Sequence, residues 1–328
     1  MLSLPWQLRF QSPAPTFHTN NLRMKSLRPF LGLLAATTLL APAHQASAAA
    51  FTGIFTFGDS LSDSGNTSLA SGGLRPGPAY FNGHFSNGPV WVETLTAGLG
   101  LTGTFPSILG GRNFAFGGAN TSTGGLVPTI SQQAAGFLGS GGSFLPTDLV
   151  VVWGGANDFF TGQTNPAIPA ANISSIISTL AGAGAKNFLV PNLPDLGDTA
   201  ESIASGNPLV IAGSSAFSVA FNAALLSGMN SLESSLGVTI YDLDVFSLSK
   251  DIKNNPATYG FTNTTESALL TGNAANASQY VFWDGVHPTT RVHDFIAQRA
   301  LAVVPEPTSA FLVFITGSLV ALRRRRAA

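Results

Sequence analysis

Hydrophobic positions in the 328-residue chain gather into short continuous runs separated by longer stretches of helical period. Runs at 53–57, 113–116, 149–153, 187–190 and 238–241 read as strands, several of them apolar without alternation, as in strands buried on both faces. Between them, 170–183, 214–236 and 290–303 carry apolar residues at three- and four-residue spacing, which predicts helices with one buried stripe. Strand and helix thus alternate along the chain. That order predicts a central, mostly parallel sheet covered by helices on both sides, a three-layer α/β/α domain spanning 49–303. In such sheets ligands sit beyond the carboxyl ends of the strands, so the residues just after each run are where chemistry is expected. No internal repeat breaks the domain, and the Gly/Ser-rich patches at 71–73 and 140–143 are short enough to be loops.

Both ends depart from this pattern. Arg23, Lys25 and Arg28 precede an apolar run at 30–41 and then Ala46-Ser47-Ala48, the charge, length and small-residue layout of a secretory signal over 1–48. The 23 residues before Met24 fit no such layout, which makes Met24 a candidate start; an uncleaved membrane anchor is the rival reading. At the other end, Val304-Pro305-Glu306-Pro307 leads into an apolar segment at 309–322 and four arginines, Arg323 to Arg326. The segment is shorter than the roughly 20 residues of a stable spanning helix, and the arginines favour the cytoplasmic side. This 304–328 tail resembles the PEP-CTERM sorting signal of Gram-negative bacteria. The resemblance implies Sec-type export, processing by an exosortase-type enzyme, transient anchoring in the inner membrane, and a final place at the cell surface or in the extracellular matrix. An ordinary C-terminal membrane anchor is the alternative.

Composition narrows the function classes. Hydrophobic residues make up 45% and charged residues 9%, which suits a packed domain and excludes a disordered one. There is no cysteine, so disulfides, thiolate metal sites and a cysteine nucleophile are excluded. The formal charge of -1 hides an asymmetry, because eight of the fifteen basic residues lie in the two end segments. The domain between them holds seven basic against fifteen acidic residues, about -8 in all, with no basic run to neutralise phosphates, so nucleic-acid binding is not expected.

The strongest local motif is Phe57-Gly58-Asp59-Ser60-Leu61, directly after the first run. A serine there sits where the chain turns at the end of a strand, its hydroxyl facing the cleft and its backbone N–H available to an oxyanion. A turn with an Asp or Ser helix cap would use the same residues. A nucleophilic serine requires a base, and beyond the leader only His84, His287 and His293 remain. His287 lies in Asp284-Gly285-Val286-His287-Pro288, close enough to Asp284 for a carboxylate to orient the imidazole from the same loop. His293 also has a carboxylate neighbour, Asp294, but both fall within the 290–303 helix and are expected to face solvent. Oxyanion donors could come from Gly117-Gly118-Ala119 after the second run and Gly155-Ala156-Asn157-Asp158 after the third. A tight turn and an Asx-turn are the structural alternatives for these two loops.

Taken together, Gly58-Asp59-Ser60-Leu61, Gly118, Gly155-x-Asn157-Asp158 and Asp284-x-x-His287 resemble the four sequence blocks of the GDSL/SGNH hydrolases, in that family's order over about 230 residues. The resemblance implies a flavodoxin-like fold, Ser60 as nucleophile, His287 as base oriented by Asp284, and an oxyanion hole made of Ser60 N–H, Gly118 N–H and the Asn157 amide. The longer strings FGDSLSDSGN, FSNGPVW, NFAFGGA, WGGANDF and DGVHPT are similar to the branch of lecithinase/hemolysin-like lipases and fatty-acyltransferase-like members. That branch carries Arg where this chain has His84, which bears on specificity if the position meets substrate.

No serine sits in G-x-S-x-G, the elbow of the rival α/β-hydrolase design, and no H-E-x-x-H or other metal constellation is present, so neither cofactor nor metal is expected. The function implied is cleavage of carboxylic esters: lipid acyl, short-chain, or acetyl groups on polysaccharide. Acyl transfer from the same site and a catalytically inactive surface-binding or matrix protein are the alternatives. Phe81, Phe85, Phe114, Phe116, Phe159, Phe160 and Trp91 are candidates for an acyl pocket, with core packing expected for most of them.

Overall fold

The computed structural model describes residues 51–122 and 124–304. The leader expected over 1–48 and all of the 304–328 tail beyond Val304, including its 309–322 segment, lie outside the described residues. The chain begins with strand β1 (Gly53–Gly58), followed by helices α1 (Asn66–Ala70), α2 (Trp91–Gly98) and α3 (Ile130–Gly139). Next come β2 (Asp148–Trp153), α4 (Ala156–Phe160), α5 (Ala167–Gly182), β3 (Asn187–Pro191), α6 (Ala200–Ala204) and α7 (Pro208–Leu236). The remainder is β4 (Thr239–Leu243), α8 (Val245–Asn254), β5 (Asn263–Ser267), β6 (Tyr280–Phe282) and α9 (Thr290–Val303).

The strands β1, β2, β3 and β4 lie side by side in that order, every pairing parallel. Alternate side chains enter two separate cores, as the strand period of two requires. Phe55, Phe57, Val150, Val152, Phe188 and Val190 pack with Ile130, Ile173, Ile177, Phe221 and Leu225 of α3, α5 and α7. Ile54, Leu149, Val151, Trp153, Leu189 and Leu243 pack with Trp91, Leu95, Leu248, Ile252 and Ile296 of α2, α8 and α9. The expected three-layer α/β/α arrangement follows. A separate two-stranded parallel sheet, β5 with β6, lies just before the 284–287 loop in sequence.

Two expectations are corrected. The run at 113–116 is not a full strand, although it lies alongside β1: Phe114 and Phe116 N–H donate to the Thr56 and Gly58 carbonyls at 2.7 and 3.1 Å. The Gly58 N–H, the group that would continue this ladder, donates instead to Gln133 Oε1 at 2.9 Å, and asparagine side chains take the backbone groups on the edge facing away from β1. Asn66 Nδ2 donates to the carbonyls of Asn113 and Ala115, and the Ala115 N–H turns back to Asn113 Oδ1. The helix expected at 214–236 begins earlier, at Pro208. Asn207 caps it by accepting the Leu209 N–H at 3.0 Å, and Pro208 supplies a helical φ at a position that needs no N–H donor. By length and composition α7 is apolar enough to cross a membrane, yet Phe217, Phe221, Leu225 and Met229 bury its inner stripe in the domain core.

Candidate active site

Each segment that reaches the site follows a strand or precedes a helix, so packed elements on either side fix its position. Ser60 lies two residues beyond β1. The turn carrying it is clamped by Gln133 of α3, whose side-chain amide accepts from Gly58 N–H at 2.9 Å and donates to Gly58 C=O at 2.8 Å. Asp59, 2% exposed, accepts the Leu61 N–H, which tightens the turn. His287 comes from the loop between β6 and α9. Asn157 lies in the first turn of α4, just beyond β2, and Gly118 follows the segment paired with β1.

These parts meet. Ser60 Oγ lies 2.8 Å from His287 Nε2, and His287 Nδ1 lies 2.7 Å from Asp284 Oδ2. A carboxylate can only accept, so Nδ1 carries the proton and donates to Asp284, and Nε2 is left to accept from the Ser60 hydroxyl. Asp284 Oδ1 accepts the N–H groups of Val286 and His287 at 2.9 and 2.7 Å, which fixes the carboxylate within its own loop. Burial pushes the Asp284 carboxyl up, but hydrogen bonding and charge from His287, with help from Tyr80, outweigh it and bring its pKa down to about 2. The carboxylate is therefore ionised throughout the neutral range.

The Ser60 and Gly118 N–H groups find no acceptor among the described residues, and both residues line the same cavity. The Gly117 N–H, in contrast, is consumed by Asp63 Oδ2 and Thr67 Oγ1 at 2.9 and 2.7 Å. That leaves two free donors beside the Ser60 hydroxyl. Gly118 has a φ of 85°, the left-handed region that a glycine adopts without strain. Asn157 Nδ2 lies 3.1 Å from the Ala119 carbonyl and 3.4 Å from Asp59 Oδ2, so its amide faces the site while tethered to the turns on either side. Asp158 holds that block by accepting the Thr121 N–H and hydroxyl at 2.9 and 2.7 Å.

The cavity has a volume of about 270 Å³. Of the aromatic residues weighed for an acyl pocket, Phe85 and Phe160 line it, and the Phe85 ring lies 5.2 Å from the imidazole of His287. Phe114, Phe116 and Phe159 pack against the α3/α5/α7 core, Trp91 is fully buried in the opposite core, and Phe81 is partly exposed outside the cavity. Core packing is therefore the role of most of them.

The structure corrects the placement of His293. It is fully buried, not solvent-facing, and its Nδ1 accepts the Trp91 N–H at 3.3 Å. Positions 293, 296, 297 and 300 form one i, i+3, i+4, i+7 stripe, which carries the imidazole into the core with Ile296, Ala297 and Ala300. Burial depresses its pKa to about 3, so it is a neutral packing residue. Asp294 is half-buried and accepts the Thr94 hydroxyl. His84 also differs from a substrate-contacting residue, because it is buried away from the cavity lining. Its Nδ1 faces the Phe81 carbonyl at 2.8 Å and its Nε2 forms an ion pair with Glu93 Oε2 at 2.9 Å, off ideal hydrogen-bond alignment. Burial opposes a charge there, but Glu93 and the carbonyl more than offset it and raise the pKa.

Tyr80 is the contributor that sequence patterns did not reveal. Its hydroxyl donates to Asp284 Oδ2 at 2.6 Å, across 204 residues, and its ring packs edge-on against Trp283. Burial and the Asp284 hydrogen bond push its own pKa far up, so it remains a donor. The segment bearing it is latched to the His287 loop. Ser86 Oγ donates to the Pro288 carbonyl at 2.9 Å, and Asn87 Oδ1 accepts the Thr290 N–H at 2.9 Å.

The sequence profile of GDSL-like lipases/acylhydrolases matches residues 54–300. The phosphatidylcholine-sterol acyltransferase of Aeromonas hydrophila is 30% identical over 86% of this chain and 95% of its own length. The thermolabile hemolysin of Vibrio parahaemolyticus is 28% identical over 76% of this chain, which spans 62% of that longer protein. A GDSL esterase/lipase of Arabidopsis thaliana is 27% identical over 76% of this chain and 81% of its own length. With the profile covering three-quarters of the sequence and its match enclosing the strands, both cores and the Ser60–His287–Asp284 cluster, the chain belongs to the GDSL-like lipase/acylhydrolase family of ester-bond hydrolases.

Proposed function

We propose that this protein is an exported serine hydrolase that cleaves carboxylic esters through an acyl-serine intermediate. The observation that carries the reading is the continuous hydrogen-bonded line from Ser60 Oγ through His287 to Asp284, at 2.8 and 2.7 Å, opening into a cavity beside two free N–H donors. In the first step Ser60 Oγ attacks the ester carbonyl while its proton passes to His287 Nε2, and Asp284 stabilises the resulting imidazolium. The developing oxyanion lies against the Ser60 and Gly118 N–H groups, joined by the Asn157 amide once it releases Asp59 or Ala119. Collapse expels the alcohol, which takes the proton from Nε2 and leaves an ester on Ser60. Water then repeats the sequence, and the carboxylic acid departs with the serine hydroxyl restored.

Acyl transfer is the second reading, favoured by the name of the Aeromonas hydrophila relative. It uses the same acyl-serine, with an acceptor hydroxyl in place of water. Export, processing at the 304–328 tail and a cell-surface destination rest on the sequence patterns at the two ends. Turnover of 4-nitrophenyl esters from acetate to palmitate by the full chain, with and without an added long-chain alcohol, tests the reading. Hydrolysis that disappears in Ser60→Ala supports it, and a new alkyl ester among the products would assign transfer. A folded protein that turns over no ester would refute both.

A further inference from the structure

The domain's few cations are unevenly placed. Of the seven basic residues in the -8 domain, three gather about the cavity that holds Ser60: Arg75 and Lys253 line it, and Lys250 is tied to the Asp195 and Asp198 of its wall. They arrive from separate elements, Arg75 from the loop after α1, Lys250 and Lys253 from one face of α8 at i, i+3 spacing. Asp195 and Asp198 stand in and beside a 3₁₀ turn, Leu196–Asp198.

Counting donors and acceptors shows what the cluster still offers. Asp195 Oδ1 accepts the Gly197 N–H and the Ser215 hydroxyl at 2.9 and 2.6 Å, and its Oδ2 takes Lys250. Asp198 takes Lys250 at one oxygen and Lys253 at the other. The carboxylates are therefore engaged, and their side chains are 2% and 12% exposed while both lysines are more than one-third exposed. An ammonium has three N–H donors and a guanidinium five, so Lys250 keeps one, Lys253 two, and exposed Arg75 has its guanidinium unpaired among the described residues. The two lysines and two aspartates sum to zero, and Arg75, on the lining of the same cavity, adds one positive charge with its donors open, inside a domain that is otherwise acidic.

We infer that Arg75 and Lys253, backed by Lys250, form an oxyanion subsite of the catalytic cavity, which selects esters carrying a phosphate or carboxylate group over neutral esters of the same acyl chain. This rests on the ester-hydrolase reading above. The rest of the cavity wall is largely apolar, with Leu61, Phe85, Phe160, Leu248, Val281 and Ile296, so the ligand that matches both ends is an anionic amphiphile. The paired aspartates hold the lysines in place before ligand arrives, which lowers the ordering cost of binding, and the guanidinium supplies a bidentate fork for the anion.

The test compares 1,2-dibutyrylglycerol with its 3-phosphate, using the full chain and an Arg75→Gln/Lys253→Gln double variant. The phosphate-bearing ester should show the lower KM in the wild type by about tenfold, and the double variant should remove most of that ratio with a smaller effect on kcat. A KM ratio near one in the wild type, or one the double variant leaves intact, would overturn the subsite. A binding arm separates this from the hydrolase reading: hexyl phosphate, hexanol and inorganic phosphate are titrated calorimetrically into Ser60→Ala. Hexyl phosphate should bind more tightly than either control, and addition of Arg75→Gln should weaken it about tenfold. If that result holds while neither ester is hydrolysed, the subsite stands and the hydrolase reading fails. Equal binding of inorganic phosphate and hexyl phosphate would overturn the amphiphile assignment, as would equal binding of hexanol.

Discussion

Replacing Tyr80 by Phe removes the one hydroxyl that donates to the Asp284 carboxylate beside His287 and leaves the ring packed on Trp283. A hydrogen bond to a charged acceptor contributes about 1.5–3 kcal/mol, and at 2.6 Å this one is short. Asp284 would keep its three other donors, the N–H groups of Val286 and His287 and the imidazole Nδ1, so the carboxylate stays anchored. Part of the loss should therefore fall on orientation of the imidazole, giving about a tenfold decrease in plateau kcat/KM, or ~1.4 kcal/mol. A second consequence follows from place: Tyr80 does not line the cavity, so the loss should fall on kcat and leave KM within about twofold. The assay is a pH profile of 4-nitrophenyl ester hydrolysis for wild type and Tyr80→Phe, with thermal unfolding as a control. A variant within twofold of wild type in kcat across the whole profile, or one whose loss lies in KM, would refute the assignment of Tyr80 as a positioning residue.

Buried carboxyls give a pH dependence of stability with opposite signs. Burial raises Asp59 to a pKa of about 6 from 3.8, so the folded state holds its proton where the unfolded state has lost it, and stability should fall as pH rises from about 4 to 6, by about 3 kcal/mol. Asp284, lowered to about 2, contributes stability that is complete above the unfolded value and is lost as pH falls below about 4. Urea unfolding of wild type and Asp59→Asn between pH 3 and 7 checks this: the variant should show a shallower fall between 4 and 6, and an unchanged slope there would contradict it. A Cβ at Gly117 would lie 2.1 Å from the Phe85 ring, so Gly117→Ala should destabilise by about 1–3 kcal/mol and displace the ring tilted against His287. In a double-mutant cycle, Phe85→Ala should relieve most of that stability loss; strictly additive effects would rule out the clash.

The sequence made the site's first members legible because the strands announce themselves. Continuous apolar runs locate β1, β2 and β3, and the motifs that follow β1 and β2 are thereby placed at one edge of the sheet. The helix at 290–303 has the bounds that its period predicts, yet His293 does not face solvent as its residue type suggests, because the stripe through 296, 297 and 300 dictates burial. The segment at 113–116 looked like a strand because its apolar content is that of one. What ends its pairing is the capture of the Gly58 N–H by Gln133, with Asn66 and Asn113 holding the opposite edge, which a hydrophobic pattern cannot register. Tyr80 and Gln133 were hidden for a related reason: each acts on a group 75 or more residues away, through a contact that no spacing rule encodes. His84 was singled out for its neighbours in sequence, but its partner is Glu93 at the start of α2 and its place is outside the cavity.

The most direct test of the central claim is labelling of the full chain with a fluorophosphonate probe, followed by peptide mapping, with Ser60→Ala and His287→Ala alongside. A serine made nucleophilic by the 2.8 Å contact with His287 should take the probe at Ser60, lose labelling in Ser60→Ala, and be labelled orders of magnitude more slowly in His287→Ala. A folded wild type that takes no probe, or takes it at a different serine, would contradict Ser60 as the nucleophile and leave a protein that kept the fold for binding alone.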